Sequence, residues 1–445
     1  MSGVRIPPSA LVSAPSRLWG CALFVPLLLV HMKTFRLRPA SRLDEAFFTS
    51  YNRNGRLVSF FGDSHPAYAG SVVRAMASAR RGYRSIARLF AEDIAAAARR
   101  VEGEQNRQAD DLEQFFASLE RDCTARVVRV ERLTPTIVEL IVSAPQAARK
   151  FRPGQFYRLQ NYAATAPRLG EHRLTMEALA MTGAWTKPEE GVLSMIALEV
   201  GASTRMIAHL QPGEKIVVMG PTGTPTHIPE NENVLLCGGG LGNAVLFSIA
   251  SALKAHGCRV LYFAGYRNGG DVFKMNVIQE ATDQVIWCTD SGAEIVPQRP
   301  QDRHYRGTII EAMVAYHEGK LGEPVMPFST VNRIIAIGSD GMMHAVKRAR
   351  WGALRTAFGP HVAIGSINSP MQCMMKEICA QCLQKHVDPQ TGRELVPVFS
   401  CFNQDQELDR VDFDSLRDRL AMNSVLEKLG SAWLEYLLSY EQRVG

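Results

Sequence analysis

The segment that most constrains the fold lies near the middle of the chain, where a short apolar strand runs into a glycine-rich loop and then a helix. Residues 234–237 (VLLC) are apolar, residues 238–243 read GGGLGN, and residues 244–256 have helical periodicity. Glycine allows the backbone to approach a pyrophosphate closely, and the helix N-terminus offers unpaired N–H groups at the positive end of a dipole. A glycine-rich loop indicates nucleotide binding only when a strand precedes it and a helix follows it, as here. The predicted cofactor-binding residues of this loop are Gly238, Gly239, Gly240 and Gly242.

Three more short strands follow, at residues 259–264, 285–288 and 333–337, and loops with glycine follow two of them. Strands that alternate with helices indicate βαβ units and a parallel sheet. Ligands of such sheets bind outside the carboxyl ends of the strands, so the loop at residues 338–341 (GSDG) adds Gly338 and Asp340 as cofactor-binding candidates. A sheet whose turns are glycine-rich only for packing stays an open alternative, because a fold does not fix a function.

The region before this predicted sheet has a different sequence pattern. Residues 125–133 and 136–142 are rich in Val and Ile, with Pro135 at the turn between them. Further strand-like stretches begin at residues 151, 191 and 215. Short strands with turn residues at this spacing indicate an antiparallel barrel. The predicted fold class is therefore an antiparallel barrel followed by a parallel-sheet nucleotide-binding domain.

Nine cysteines occur in the chain, an odd number that argues against a fully paired disulfide framework. Four of them crowd together with the spacing C-x5-C-x2-C-x18-C. Four thiolates suit tetrahedral zinc or an iron–sulfur cluster. Zinc sites typically show two C-x2-C pairs, whereas one such pair with two more distant cysteines favours a [2Fe–2S] cluster. The predicted metal ligands are Cys373, Cys379, Cys382 and Cys401.

The two ends of the chain read differently. Residues 18–30 are an apolar run interrupted by Pro26, as long as a signal-peptide core but without a cleavage site after it. We therefore expect an apolar leader or a mis-called start in residues 1–31. Residues 32–122 read as a helical segment that Gly82 divides, and residues 408–438 read as helical too.

The composition excludes two classes of partner. Lys and Arg number 50 against 44 Asp and Glu, an excess too small to predict nucleic-acid binding. No apolar stretch reaches the roughly 20 residues of a membrane span. With clustered thiols that suit a reducing compartment, we expect a cytoplasmic protein.

Five motifs follow one another between the barrel and the cysteines: PGQF at 153–156, GAST at 201–204, GPTG at 220–223, TDSG at 289–292 and GSDGMM at 338–343. Their order, with the glycine loop and the cysteines, resembles that of ferredoxin–NADP reductase-like flavoproteins. It is most similar to the electron-transfer subunit of dihydroorotate dehydrogenase and its sulfide-dehydrogenase and ferredoxin-reductase relatives. The resemblance covers about residues 123–403.

The resemblance implies FAD on the barrel, NAD(P)H at the glycine loops and a [2Fe–2S] cluster at the cysteines. Two departures stand out. Where the family reads Arg-Pro-x-Ser, residues 179–182 read LAMT, so that Thr182 stands for the serine and the arginine is missing. The cluster loop at residues 373–379 is one residue longer than the family's and has no glycine. The implied FAD-binding residues are Thr182, Gly201, Ser203 and Thr204.

The implied function is electron transfer, with hydride passing from NAD(P)H to FAD and single electrons passing to the cluster and to a partner, or the reverse. The partner is a separate oxidoreductase subunit or a fused upstream flavoprotein domain. Residues 59–66 (SFFGDSHP) resemble the C-terminal end of such an upstream domain. No acid–base side chain is required, so no catalytic residue is predicted. NADH and NADPH stay open, since Arg267 is either a 2′-phosphate ligand or a surface residue. The alternative is a non-catalytic module that binds nucleotide and zinc and docks onto a partner oxidoreductase.

The expected domain division follows from the resemblance and from the changes in sequence pattern along the chain. It consists of a leader or mis-called start (1–31), a helical segment (32–122), an FAD-binding barrel (123–228), an NAD(P)-binding domain (229–365), a [2Fe–2S] domain (366–405) and a C-terminal helical segment (406–445).

Overall fold

The computed structural model describes residues 42, 46–53, 56–98, 102–369, 377–422 and 424–444. The predicted leader in residues 1–31 and one predicted metal ligand, Cys373, lie outside the described residues. The chain divides into two compact units, one ending at Glu113 and the other beginning at Gln114. In the part of the chain that is described, no helix is long and apolar enough to cross a membrane.

Among its described residues, the first unit contains an antiparallel hairpin followed by helices. The prediction of a purely helical segment is wrong at the hairpin, whose strands contain aromatic and β-branched residues that favour extended backbone. The sequence between the strands is Asn54-Gly55, the dipeptide most typical of two-residue hairpin turns, and this signal was overlooked. The elements are β1 (Phe48–Arg53), β2 (Arg56–Ser59), α1 (Val72–Leu89), α2 (Ala91–Ala98) and α3 (Glu102–Cys123), the last crossing into the second unit.

Helix α1 runs through Gly82 without a break, so the predicted division at that residue is wrong. Gly82 is buried, and a Cβ there would lie 2.1 Å from the ring of Phe61 and 2.7 Å from the ring of Phe47. The glycine therefore allows two aromatic rings to approach the helix closely. Its role is one of packing, and the helix ends at Leu89, seven residues later in sequence.

The predicted antiparallel barrel is confirmed: six strands close in the order β10-β3-β4-β9-β8-β5. Its interior is filled by apolar side chains such as Leu140, Tyr157 and Leu159, all fully buried. Strand β4 is buried on both faces, because its outer face packs against the sheet domain that follows. The elements are β3 (Ala125–Thr134), β4 (Ile137–Ser143), α4 (Pro145–Lys150), β5 (Phe156–Asn161), β6 (Arg168–Leu169), β7 (His172–Arg173), β8 (Leu179–Lys187), β9 (Val192–Leu198), α5 (Ala202–Met206) and β10 (Lys215–Thr222).

The predicted parallel sheet is confirmed as well. Its seven strands lie in the order β14-β13-β12-β11-β15-β16-β19, parallel except for the last, which is β19 (Asp405–Glu407). The strand order reverses between β11 and β15, and ligands of open α/β sheets bind at such a switch point. The elements are β11 (Asn233–Gly239), α6 (Gly242–Ala255), β12 (Arg259–Tyr266), α7 (Met275–Glu280), β13 (Gln284–Thr289), β14 (Arg303–Arg306), α8 (Ile309–His317), β15 (Arg333–Ile337), α9 (Asp340–Trp351) and β16 (Val362–Ser366).

The chain then forms a short two-stranded ribbon, returns to the edge of the sheet and ends in two helices. The predicted C-terminal helix starts too early, because Leu408 and Val411 are fully buried in the core of the sheet domain before the first of these helices begins. Asp412 caps that helix by accepting a hydrogen bond from the Ser415 N–H at 3.0 Å. The elements are β17 (Leu383–Gln384), β18 (Val398–Phe399), β19 (Asp405–Glu407), α10 (Phe413–Ala421) and α11 (Ser424–Val444).

Candidate functional site

The glycine loop after β11 combines two kinds of glycine. A Cβ on Gly238 would lie 2.1 Å from the Asn243 Oδ1 atom, and one on Gly242 would lie 2.2 Å from the Ile337 carbonyl oxygen. These two positions need glycine for packing inside the protein. Gly240 differs, because it has a φ of +54° and no heavy atom within 4 Å of the place where a Cβ would stand. Gly240 is therefore the position at which the loop presents bare backbone to open space.

Asn243 holds this loop in shape, a role that sequence reasoning did not assign. Its Nδ2 donates to the Gly240 carbonyl at 2.8 Å, and its Oδ1 accepts from the Tyr262 hydroxyl at 2.7 Å. Asn243 and Tyr262 are buried, and burial raises the pKa of the Tyr262 hydroxyl well above its ordinary value. The Gly240 carbonyl is thus turned inward, where it does not repel an anion at the outer surface of the loop.

The loop after β15 lies beside the first one. A Cβ on Gly338 would stand 3.2 Å from the Gly239 Cα, so the two loops are in close contact. The Ser339 hydroxyl caps α9 by accepting from the Met342 N–H at 3.2 Å. Gly341, in the first turn of α9, has no heavy atom within 4 Å of a Cβ position and has no left-handed φ. The structure therefore brings the predicted glycines of both loops together at the switch point of the sheet.

Asp340, which is predicted to bind the cofactor, forms an ion pair within the protein. Its Oδ2 lies 3.4 Å from the Arg417 Nε of α10, and its side chain is 23% exposed. The carboxylate therefore contributes to holding α10 against α9, while Gly341 beside it faces open space.

These observations fit a dinucleotide. Two open glycine positions, Gly240 and Gly341, lie at helix N-termini on the edge of the sheet where phosphates bind in related folds. Strands β12, β13 and β14 end in register, with Tyr266, Thr289 and Arg306 side by side. The exposed Arg267 follows directly, and its carbonyl accepts from the Ser291 N–H at 2.9 Å.

The predicted flavin residues fall in two places on the barrel. Thr182 lies on β8 opposite Phe156 of β5. Ser203 lies in the first turn of α5 and accepts from the Glu177 N–H at 2.9 Å, and the Thr204 hydroxyl bonds both backbone groups of Gly201. Glu177 and Thr182 are five residues apart in sequence, which limits their separation to roughly 16 Å at about 3.3 Å per residue. An extended dinucleotide spans such a distance.

A positive charge that sequence reasoning missed lies beside Thr182. Arg158 of β5 is directly opposite Ala180 of β8, on the same face of the strand pair as Thr182. Its Nη2 donates to Gln160 Oε1 at 3.1 Å, and its Nε is buried without a hydrogen-bond partner among the described residues. An unsatisfied guanidinium N–H fits an anionic or polar ligand at this face. The strand that lacks the family's arginine thus has another arginine on its neighbour.

Three of the four predicted metal ligands are described. Cys382 and Cys401 are fully buried at one end of the β17–β18 ribbon, where the Ser400 N–H donates to the Cys382 carbonyl at 3.0 Å. Burial, with additional contributions from Cys401 and Cys379, raises the pKa of the Cys382 thiol to about 12. Within the described residues, no group of three or more His, Cys, Asp or Glu side chains is arranged to hold a metal ion. The thiol donor set suits a cluster, and Cys373 lies outside the described residues.

The end of the cysteine ribbon is hydrogen-bonded to the two barrel motifs. The Gln404 side chain donates to the carbonyls of Gly154 and Thr224, the first at 3.0 Å. The Thr224 N–H donates to the Phe402 carbonyl at 2.7 Å. Gly154 belongs to the PGQF motif, and Thr224 directly follows the GPTG motif. Cys401 therefore lies within three residues of Gln404, which is hydrogen-bonded to the PGQF motif and to the residue after the GPTG motif.

A closed antiparallel barrel followed by a parallel sheet with two glycine loops at its switch point is the fold of ferredoxin–NADP reductase-like proteins. No family model matches the chain. A solved structure of the NADH-dependent reduced ferredoxin–NADP oxidoreductase, studied for flavin-based electron bifurcation, aligns with 69% of this chain and 96% of its own, with a TM-score of 0.54 and 24% identity. This likeness shows the fold.

Two relatives extend the comparison. Uncharacterized protein RP006 of Rickettsia prowazekii is 28% identical over 374 residues, which are 84% of this chain and 41% of the relative. The dihydroorotate dehydrogenase B (NAD(+)) electron transfer subunit homolog of Thermotoga maritima is 33% identical over 168 residues, 38% of this chain and 55% of the relative. The aligned parts thus span about half of each relative's length. The resemblance to the dihydroorotate dehydrogenase electron-transfer subunit and to ferredoxin–NADP reductase-like proteins is confirmed.

Proposed function

We propose that the chain transfers electrons between a nicotinamide nucleotide, a flavin and an iron–sulfur cluster, and passes them to or from a partner oxidoreductase subunit or an upstream flavoprotein domain. When bound, FAD would take the hydride of NAD(P)H and release its two electrons singly to a [2Fe–2S] cluster. The protein supplies binding, orientation and distance, and no side chain has to move a proton by itself. The Thermotoga maritima relative is itself named as an electron-transfer subunit homolog, which supports this assignment.

The observation that carries the proposal is the attachment of the cysteine ribbon to the barrel. Gln404 and Phe402 bond the backbone of Gly154 and Thr224 in the barrel, and the fully buried Cys401 lies in the same turn. The PGQF motif that contains Gly154 ends at Phe156, which lies opposite the predicted flavin residue Thr182. A cluster at these cysteines would therefore lie beside a flavin on the barrel. Short separation between redox groups is what stepwise electron transfer requires, and a separate metal module would not need these bonds.

The residues of the chain would share the work of binding. The open positions at Gly240 and Gly341 would admit the pyrophosphate of NAD(P)H, and Asn243 would keep the Gly240 carbonyl away from it. Thr182 and Arg158 on one face of the barrel, with Gly201, Ser203 and Thr204 at α5, would hold FAD. Cys373, Cys379, Cys382 and Cys401 would ligate the cluster, and Cys382 would release its proton to solvent as its thiolate binds the metal, despite its raised pKa.

Anaerobic purification of the whole chain, followed by visible spectroscopy and assays for flavin, iron and acid-labile sulfide, tests the proposal. We expect one FAD, two irons and two sulfides per chain, and an EPR signal after reduction by dithionite. Reduction of the flavin by NADPH or NADH, followed by stopped flow, then shows which nucleotide the protein prefers. A colourless protein that holds zinc and no sulfide would instead support the non-catalytic nucleotide- and zinc-binding module.

A further inference from the structure

The barrel and the sheet domain meet through an apolar interface. Ile137 of β4, Ala184 of β8 and Ile196 of β9 are buried in the same cluster as Phe247 and Phe273 of the sheet domain. Apolar contacts of this kind are strong but have little direction, because their free energy follows the area removed from water. They hold the two domains together without fixing the angle between them.

A carboxylate is buried at the edge of this interface. Glu139 of β4 is fully buried, and its Oε1 accepts two hydrogen bonds from the barrel, from Trp185 Nε1 at 2.8 Å and from Ser194 Oγ at 2.7 Å. Its Oε2 lies 2.7 Å from the Nζ of Lys274, which belongs to the sheet domain. Lys274 is the residue before α7 and has a φ of +51°.

The charge of Glu139 depends on both domains. Burial alone would raise the pKa of Glu139, but the bonds from Lys274, Ser194 and Trp185 outweigh it and hold the pKa below its ordinary value. The two barrel donors fix the plane of the carboxylate, and Lys274 alone meets the second oxygen. A buried carboxylate without its counter-ion is strongly unfavourable, so domain orientations that separate Lys274 from Glu139 are disfavoured.

We propose that Glu139 and Lys274 are positioning residues that fix the angle of the sheet domain on the barrel, and with it the approach of the nicotinamide ring to the flavin. The inference rests on the proposed function, since it concerns the hydride step. One attested use of buried polar and ionic groups is to specify one arrangement among several of similar packing energy. Hydride transfer is sensitive to such an angle, because misplacement of the reacting atoms by about 1 Å costs up to about a hundredfold in rate.

The test is Lys274→Met, which keeps the length of the side chain and removes the charge. In the flavin-loaded protein we expect the rate of flavin reduction at saturating NADPH or NADH to fall roughly tenfold or more. The Kd of the nucleotide should not change, because the glycine loops lie elsewhere. The matched control is Lys254→Met, which breaks the ion pair with Asp283 at 2.8 Å inside the sheet domain and should leave the rate unchanged.

A second variant separates misfolding from mispositioning. Glu139→Gln keeps a hydrogen-bond acceptor for Ser194 and Trp185 and removes the buried charge, so it should fold even where Lys274→Met does not. Combined with Lys274→Met, it should restore stability and leave the hydride rate low. If Lys274→Met lowered the rate only by destabilising the protein, the double variant would recover the hydride rate together with the stability.

Hydrogen exchange tests the same contact without any cofactor. Amides of β4 and α7 should exchange faster in Lys274→Met than in the parent chain and in Lys254→Met. Unchanged exchange together with an unchanged hydride rate would overturn the inference and leave the proposed function standing. A parent chain that binds no flavin or no nucleotide would overturn the proposed function, and the exchange experiment would still decide whether the pair fixes the interface.

Discussion

The nucleotide site that we propose at the sheet edge and the cluster site that we propose in the cysteine ribbon would be built in opposite ways. At the sheet edge the site is backbone, since Gly240 and Gly341 present open positions and the neighbouring glycines pack inside. In the ribbon the site is side chains, since Cys382 and Cys401 are far apart in sequence and meet only when β17 pairs with β18. A binding site made of backbone should lose ligand affinity gradually as residues around it are substituted. A site of side chains should fail when one ligand is lost.

The largest expected effect breaks the ribbon site with Cys401→Ser. A serine hydroxyl does not replace a buried thiolate in a four-cysteine cluster, so we expect the two-iron EPR signal and the acid-labile sulfide to disappear. FAD and nucleotide binding should persist, because the barrel and sheet edge are built separately. Iron and sulfide analysis of anaerobically purified protein measures the loss.

Cys288→Ser is the matched control for that substitution. Cys288 is also a fully buried thiol, and burial raises its pKa, but it lies in β13 away from the ribbon. It should retain the whole cluster. A full two-iron signal in Cys401→Ser would contradict the assignment of the ligand.

The next effect concerns Asp405, which follows the ribbon at the edge of the sheet. Its Oδ2 atom is buried, and burial raises the pKa of the carboxyl from 3.8 to about 6 against the lowering effect of the Thr226 and Ser366 hydroxyls. A folded pKa above the unfolded one means that the folded state binds the proton more tightly. Stability therefore falls as the pH rises from about 4 to about 6, by up to about 3 kcal/mol.

Asp405→Asn removes that titration. Above pH 6 the variant should be more stable than the parent by up to about 3 kcal/mol, and the difference should shrink toward pH 4. Urea unfolding at pH 5 and pH 8 measures both values. Asp418→Asn, at an exposed position of α10, should leave the pH dependence of the parent unchanged. A parent whose stability does not fall between these two pH values would contradict the raised pKa.

The sheet edge is tested by Gly341→Val. Gly240 is the less informative position, because its φ of +54° makes any side chain there strained whether or not a nucleotide binds. Gly341 has open space and no such strain, so valine should fold normally and exclude the ligand. We expect the Kd of NAD(P)H to rise at least tenfold, about 1.4 kcal/mol. Titration of the nucleotide by calorimetry measures it.

Arg348→Val places the same side chain on an exposed position of the same helix and should leave the Kd unchanged. Unaltered affinity in Gly341→Val would mean that this edge does not bind the nucleotide.

Prediction from sequence succeeded where the cause was local. Strand β11 and helix α6 lie within two residues of their predicted bounds, because an apolar run, a glycine loop and helical periodicity are all present in one short segment. The same holds for β15, whose predicted bounds of 333–337 agree with the structure. The two glycine loops could be placed together because the ends of parallel strands share one edge.

Prediction failed where the cause was distant in sequence. Gly82 reads as a helix breaker, and only the rings of Phe47 and Phe61 explain why it sits inside a helix. Arg158 has no motif around it, and its importance follows from the pairing of β5 with β8. Glu139 and Lys274 come from different domains, so no local pattern joins them.

The smallest expected effect refines the comparison between the backbone site and the side-chain site. It comes from a substitution of a side chain that supports the backbone of the sheet edge. Tyr262→Phe removes the hydroxyl that donates to Asn243 Oδ1 and leaves that buried atom without this donor. We expect a loss of about 1 kcal/mol in the free energy of unfolding, since one buried hydrogen bond is lost. The Asn243 side chain then loses one of the bonds that orient it, and the bond from its Nδ2 to the Gly240 carbonyl weakens, while the Asn243 N–H still donates to that carbonyl at 3.2 Å.

The Kd of NAD(P)H should therefore rise a few-fold as well, and this second effect separates loop orientation from stability. Tyr316→Phe is the matched control, because the Tyr316 hydroxyl is also buried in the sheet domain and bonds Gln284 Oε1 at 3.1 Å and the Met326 N–H at 3.0 Å. That control should lose similar stability and keep the Kd of the parent. If both variants keep the Kd of the parent, the side chain of Asn243 serves packing alone, and the sheet edge is a site of backbone without side-chain support.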